Sequence, residues 1–494
     1  MNARSTRAMV LGPLLASLAS CATVGPDYTL PQDSAFAKAA QHPPALDVRG
    51  STAVDPAQAA VEGRWWALYD DAQLNALVEQ ALQANTELKA AAAHLTQAQA
   101  RYAQARAAGG LSEQVDASVA RGRISAQSLL QTEPLPIFNF ADGGISVSYQ
   151  LDLFGKIRRG AEAARASAEA AQAAGDLARI SVAASVVGAY AEICHSNHEL
   201  AVARHSLQLQ QRSRDVAARL QAAGRGTPAA VARADSQVAT LQAALPPLES
   251  RKLAAGYELA ALLGRTPDQV PAEALQCQDA PMLKQAIPLG SGAALLRRRP
   301  DVRRAERELA AATAEIGIAT ADLYPDIRLG ASFGANGVLE NFGQSITQEW
   351  SFGPLISWSI PGNGAHARVA LAKAGAEAAL AEFDHVVLEA LRETQTILGA
   401  YAEDLRRVAA LREARDRASA AATDARRLYQ AGREPYLSSL DGERTLAAAE
   451  TSLAGAEAQV SQDQIRLFLA LGGGWRKNEP PHADDDAAPS PGKP

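Results

Sequence analysis

Aromatic side chains are scarce in this chain, 5% of residues against 47% for all hydrophobic types, so its apolar content is mostly aliphatic. Cysteine is rarer still: Cys21, Cys194 and Cys277 lie far apart without a C-x-x-C spacing, which indicates neither a zinc knuckle nor a disulfide framework. Positive charge is not in excess, the formal net charge being −6, and this argues against nucleic acid as a partner. Beyond the N-terminal leader no apolar run reaches the roughly 18 residues of a membrane-crossing helix, which excludes a helical membrane protein. No nucleophile, base and orienting group stand together, so no enzyme activity, catalytic residue or cofactor is assigned. Gly472-Gly473-Gly474 lacks the following Lys-Ser/Thr of a phosphate loop. Cys194, His195 and His198 sit inside a helical stretch with no carboxylate partner and are not read as a metal site. Arg297, Arg298 and Arg299, close to Asp301, Glu306 and Glu308, read as a salt-bridged helix start.

What is present begins with a leader. Arg4 and Arg7 precede an apolar run from Ala8 to Ala19, the layout of a secretory signal and too short to span a bilayer. The run ends Leu18-Ala19-Ser20-Cys21, which resembles the bacterial lipobox. That resemblance implies an S-diacylglycerol and an N-palmitoyl group on Cys21, which becomes the first residue after cleavage. Several acyl chains anchor far more firmly than one. Ala22 in the next position implies sorting to the outer membrane. Residues 1–20 are thus expected as signal peptide and 21–70 as a lipidated, extended segment, with part of Asp47–Glu62 as wrapping chain.

Long stretches rich in Ala, Gln, Glu and Arg, all strong helix formers apart from their interruptions, dominate the remainder. They are organised as a twofold repeat. Leu220 to Pro228, with Gly224, returns at Leu428 to Tyr436, with Gly432, and Ala261-Leu262-Leu263-Gly264 returns as Leu469-Ala470-Leu471-Gly472, both at an offset of 208 positions. Leu153-Phe154-Gly155 likewise aligns with Ile360-Pro361-Gly362. Each unit reads helix, strand, strand, long helix, turn, helix. The first, residues 71–280, gives helix Asp71–Ala108, strands near Glu113–Arg121 and Gly143–Asp152, then helices Lys156–Ala223 and Thr227–Leu263. The second, residues 281–475, gives helix Asp301–Ala321, strands near Asp326–Gly334 and Trp350–Ile360, then helices Ala365–Ala431 and Tyr436–Leu471. Lys156–Ala223 is as long as its two flanking helices placed end to end, and at about 1.5 Å per residue it reaches roughly 100 Å. That length fits a tube wall or a long coiled coil. Residues 476–494, with Pro480-Pro481 and Asp484-Asp485-Asp486, read as a disordered tail.

The strand segments alternate with period two. Ile145, Val147, Tyr149 and Leu151 share one face, as do Ile327, Leu329, Ala331 and Phe333, and Trp350, Phe352, Pro354 and Ile356; Val115, Ala117 and Val119 form a weaker one. Each segment has the length of a tilted transmembrane strand, about nine to eleven residues. Four strands cannot close a barrel, so several chains must share one. The links Gly122–Asp142 and Ala335–Glu349 would face the exterior.

Cys21 followed by Gly25-Pro26-Asp27-Tyr28 and Pro31, the Trp65-Trp66 pair, Leu151-Asp152-Leu153-Phe154-Gly155, Arg297 to Val302, Ala321 to Pro325, and Tyr429 to Gly432 with Tyr436 to Asp441 occur together in one chain. From Cys21 to Trp475 the chain resembles the outer membrane factor (TolC-like) family of tripartite efflux systems, in its NodT/OprM-like lipoprotein branch. The resemblance implies a mainly α fold with transmembrane β: a homotrimer whose twelve-helix α-barrel joins a twelve-stranded outer-membrane β-barrel, four strands per protomer. It implies a passive duct that takes drugs or other small toxic compounds across periplasm and outer membrane, most simply with a pump of the RND class. The implied partners are a periplasmic adaptor protein, an inner-membrane pump and outer-membrane lipid. It places adaptor-contacting tips at Gly224, Arg225, Gly226, Gly432, Arg433 and Glu434, and a periplasmic gate at Leu437 and Asp441, one helical turn apart. By symmetry Asp441 would form a carboxylate ring and Leu437 an apolar constriction. Ser438 departs from relatives that carry a second acid there. Two other readings stay open: the outer component of a type I protein secretion system, and a coiled-coil lipoprotein without a pore.

Overall fold

The computed structural model describes residues 23–473 other than 44, 51, 56–62, 284 and 361–363; the leader, Cys21, part of 47–62, Pro361-Gly362 and the tail 476–494 lie outside the described residues. The principal elements are helices α1 (Ala72–Ala84) and α2 (Thr86–Ala107), strands β1 (Leu111–Gly122) and β2 (Phe138–Leu151), and helices α3 (Lys156–Ala222), α4 (Pro228–Ala243) and α5 (Leu245–Leu262). They continue with helix α6 (Pro300–Ala321), strands β3 (Asp326–Val338) and β4 (Gln348–Ser357), and helices α7 (Ala365–Gln430) and α8 (Tyr436–Ala470). The order helix, strand, strand, long helix, helix is thus found twice.

Local chemistry explains the boundaries. Asp71 accepts a hydrogen bond from Leu74 N at 2.9 Å and Thr227 from Ala230 N at 3.3 Å, so both expected first residues are caps. Two expected helices are broken. The first stops at Asn85, whose Oδ1 caps the next helix through Glu87 N and Leu88 N while its Nδ2 donates to Leu262 O at 3.0 Å. The other stops at Ala244, because Pro246 and Pro247 have no N–H with which to continue the ladder. In the second repeat α8 carries no such pair and runs unbroken for 35 residues. The last strand ends at Ser357, short of the expected Ile360; Trp358 beyond it donates Nε1–H to Leu323 O at 3.2 Å.

All four strands form one antiparallel sheet in the order β1-β2-β3-β4, so the strand pairs of the two repeats join through β2 and β3. The chain divides into two compact units, each built from both repeats. The first holds the described parts of Met1–Pro31, His94–Gln172 and Arg304–Phe383, including the sheet; the second holds Gln32–Ala93, Ala173–Arg303 and the described part of Asp384–Pro494.

The second unit contains the large hydrophobic core. Trp65, fully buried, stacks on Phe468 with ring centroids 4.6 Å apart, and Leu74, Val78, Val186, Ile193, Leu259, Leu295 and Leu467 surround this cluster. One expectation is corrected here. α3 does contain an 18-residue stretch apolar enough to cross a membrane by length and composition, but 61% of it is buried within the protein. Its valines, Ile180 and Ile193 are spread among alanines, which raises the average without an unbroken run. They fill the core instead.

A second correction concerns the cysteines. Cys194 of α3 and Cys277 of the segment linking the repeats are joined by a disulfide, with Cα atoms 4.9 Å apart and a sequence separation of 83. Asn197, one turn along, donates Nδ2–H to Leu275 O at 2.9 Å and to Cys277 O at 2.6 Å. Wide spacing in sequence says nothing about a pair that a helix and a returning linker bring together. The arginine triplet also does more than pair with acids. Arg299 reaches Asp301 at 2.7 Å and Glu393 at 2.9 Å, but its Nη1 also donates to Ala470 O and Arg298 Nε to Leu471 O, so two cations cap the carbonyl end of α8.

Candidate functional site

In the first unit, the sheet register sorts side chains by face. Val115 pairs with Ile145, Ile145 with Phe333 and Phe333 with Trp350, one apolar row across all four strands. Val147, Ala331 and Phe352 form the next row, which Glu113 interrupts on β1, and Leu111, Tyr149, Leu329 and Pro354 the one after. The intervening positions carry Gln114, Ser146, Ser332 and Ser351 in one row and Asp116, Gly144, Gly334 and Glu349 in another. Hydrogen bonds knit this polar face: Ser332 and Ser351 hydroxyls lie 2.8 Å apart, and Asn336 Nδ2 donates to Asp142 at 2.7 Å. Among the described residues the apolar face has no such cover, Trp350 being 78% exposed, Val115 76% and Phe352 70%. A contiguous face of that kind calls for lipid or another apolar partner. The expected alternation is therefore realised on all four strands, and the strands run longer than expected at the ends distant from the helices.

In the second unit, α3 gives way to α4 and α7 to α8 through two turns of the same construction. Gly224 N donates to Gln221 O and Arg225 N to Leu220 O, at 2.9 and 2.8 Å; Gly432 N donates to Tyr429 O and Arg433 N to Leu428 O, both at 2.9 Å. These are paired Schellman closures. Gly224 and Gly432 have φ of 70° and 69°, a left-handed backbone that an L side chain adopts only with strain. Gly224, Arg225, Gly432 and Arg433 are exposed, while Gly226 and Glu434 are half-buried.

The two gate candidates lie on one face of α8. Leu437 and Asp441 are both exposed, while Ser439 and Leu440 between them are buried against the rest of the unit. A residue that sequence reasoning passed over sits beside them. Glu443 accepts from the Ser213 hydroxyl of α3 at 2.7 Å and from Arg426 of α7 at 3.1 Å, tying α8 to both long helices near the turns. Its only signal in sequence was proximity to Asp441. Burial pushes the neighbouring Tyr436 phenol up to about 12, so it stays neutral.

Further along the same unit, burial and then the nearby Asp404 carboxylate push Asp463 up to about 6. Burial likewise raises Asp176 to about 6 despite Arg303 and Arg179, and lowers His195 to about 4. Cys194 is committed to its disulfide, so the sequence cluster with His195 and His198 has no thiolate to offer a metal.

An antiparallel sheet with one apolar and one polar face, together with two helices of 67 and 66 residues, fits an outer-membrane protein of the helix-and-strand channel class. Comparison with known proteins agrees. The family described as "Outer membrane efflux protein" matches residues 77–265 and 293–473. Nodulation protein T of Rhizobium leguminosarum bv. viciae is 30% identical over 94% of this chain and 92% of its own length. The pyoverdine export outer membrane protein OpmQ of Pseudomonas putida is 29% identical over 87% of this chain and 92% of its own. The solved outer-membrane channel OprN superposes with a TM-score of 0.82 at 34% identity, covering 92% of this chain and all of that one. The chain belongs to the outer membrane efflux protein family.

Proposed function

We propose that the protein is a passive exit duct of a tripartite efflux pump of the RND class, assembled as a homotrimer. The observation that carries this reading is the sheet. Its four strands present an apolar face, and among the described residues β1 and β4 are each paired on one side only. In hydrocarbon an unpaired strand edge leaves peptide groups without partners, which is not tolerated. β1 of one copy therefore pairs with β4 of the next, and the even strand number keeps every pairing antiparallel. Three copies close twelve strands, with the polar Ser, Gln, Asp and Glu rows lining the lumen, and their long helices together with the shorter ones placed end to end form the twelve-helix periplasmic wall. Drugs or other small toxic compounds pass without chemistry.

In this reading Cys21 carries the S-diacylglycerol and N-palmitoyl anchor, and the turns at Gly224, Arg225, Gly226, Gly432, Arg433 and Glu434 receive the periplasmic adaptor. Leu437 narrows the duct, and Asp441 from three copies forms a carboxylate ring that favours cations. Planar-bilayer recording on the purified protein tests the duct. The unaltered protein should show a small, cation-preferring conductance, and the double variant Leu437→Ala, Asp441→Ala a severalfold larger, less selective one. Absence of conductance in both would sink the reading.

A further inference from the structure

Within the first unit, residues Thr23–Tyr28 are held in a way that the duct function does not require. Arg159, in the first turn of α3, is a guanidinium only 3% exposed. Its Nε donates to Val24 O at 3.3 Å, its Nη2 to Gly25 O at 3.1 Å and Asp27 Oδ1 at 2.7 Å, and its Nη1 to Glu162 Oε2 at 2.8 Å. Val24 N–H donates in turn to Phe154 O at 3.1 Å. At the far end the Tyr28 hydroxyl donates to Glu306 Oε1 at 3.2 Å, and the Arg307 guanidinium lies 5.4 Å from its ring centroid.

Three glycines make room for this approach. A Cβ on Gly25, where φ is +85°, would stand 2.5 Å from Gly317 Cα, and one on Gly317 would stand 2.7 Å from Arg159 Cγ. One on Gly155 would run into Thr23. A buried guanidinium is costly unless its donors are matched. Here most of the matching acceptors belong to Thr23–Tyr28, so losing that segment would strand the charge.

We propose that Arg159, Gly155 and Gly317 form a docking site that holds Thr23–Tyr28 as a rigid strap against Phe154-Gly155, directly after the end of β2. A membrane anchor attached just upstream would then be fixed to the foot of the sheet instead of trailing on a loose tether. The anchor half rests on the reading of Cys21 as lipidated; the docking half does not.

Hydrogen–deuterium exchange on the full-length protein in detergent tests the docking half through the Val24 amide. In the unaltered protein it should exchange slowly. Arg159→Ala, which empties the site, and Gly25→Val, which alters only the strap, should each speed it by about tenfold or more. Circular dichroism checks that the fold survives, and should Arg159→Ala fail to fold, Gly25→Val decides alone. Unprotected Val24 in the unaltered protein, or slow exchange in the folded variants, overturns the docking. Metabolic labelling with alkyne-palmitate separates the two halves. A protected strap without label removes the anchor and leaves the docking, whereas label with an unprotected strap removes the docking.

Discussion

The two units of this chain place their large apolar side chains in opposite directions. In the second unit Trp65, Leu74, Leu259 and Phe468 point inward and are almost fully buried, whereas in the first Val115, Trp350 and Phe352 point outward from the sheet. The hydrophobic effect drives both arrangements. What differs is the solvent: the second unit supplies its own apolar interior, and the first relies on the bilayer. Where helices of the first unit bury residues, those are mostly alanines such as Ala163, Ala166, Ala310 and Ala314.

The largest expected effect comes from opening the inward core. Phe468→Ala should cost about 3–5 kcal/mol, since it removes a stacked ring with no room to collapse, whereas Phe352→Ala should cost under about 1 kcal/mol in detergent. Denaturant midpoints would measure both, and equal losses would erase the distinction between the units. Next is the disulfide, which ties a loop of the second unit to α3. Cys277→Ser should lower stability by about 2–4 kcal/mol, and reduction of the unaltered protein should produce the same downward shift in melting temperature. A variant that melts like the parent would mean that Asn197 alone pins the linker.

The smallest effect, about 1–2 kcal/mol, concerns the buried titratable groups of the second unit. Asp463 has its folded pKa raised, so between the usual carboxylate range and about 6 the folded state binds more protons than the unfolded one. Its contribution is therefore full below that window and lost as pH rises through it. Asp463→Asn should raise stability at neutral pH and flatten this slope. His195, lowered to about 4, acts in the opposite sense: its contribution is full above the ordinary histidine range and lost as pH falls toward 4. Melting temperatures across mildly acidic pH for the parent and the Asp463→Asn protein would resolve the two, and an unchanged slope would show that Asp463 is not the group responsible.

Much of this architecture was legible in order. Period-two alternation located all four strands, and the glycines at 224 and 432 located the turns, because a strand face and a left-handed helix end are local requirements. The breaks at Asn85 and Ala244 were less visible. Asn85 caps the next helix through its own neighbours Glu87 and Leu88, and only its second partner, Leu262 O, comes from a distance, while the Pro246-Pro247 pair was a local signal for the other break. Leu437 and Asp441 could be placed on a common face from their spacing alone, but the link from Glu443 to Ser213 and Arg426 depends on three helices far apart in the chain.

Sequence alone determined what short-range physics controls: the duplicated order of elements, the alternation that makes each strand two-faced, and the caps and glycines that end the helices. Tertiary structure decided what depends on residues meeting from a distance. It paired Cys194 with Cys277, turned Arg298 and Arg299 onto the end of α8, gathered Thr23–Tyr28 around Arg159, and set the strand register so that four separate apolar faces became one. Each of these contacts needs the chain to close a long loop first, and that cost and its return are absent from any local window of residues.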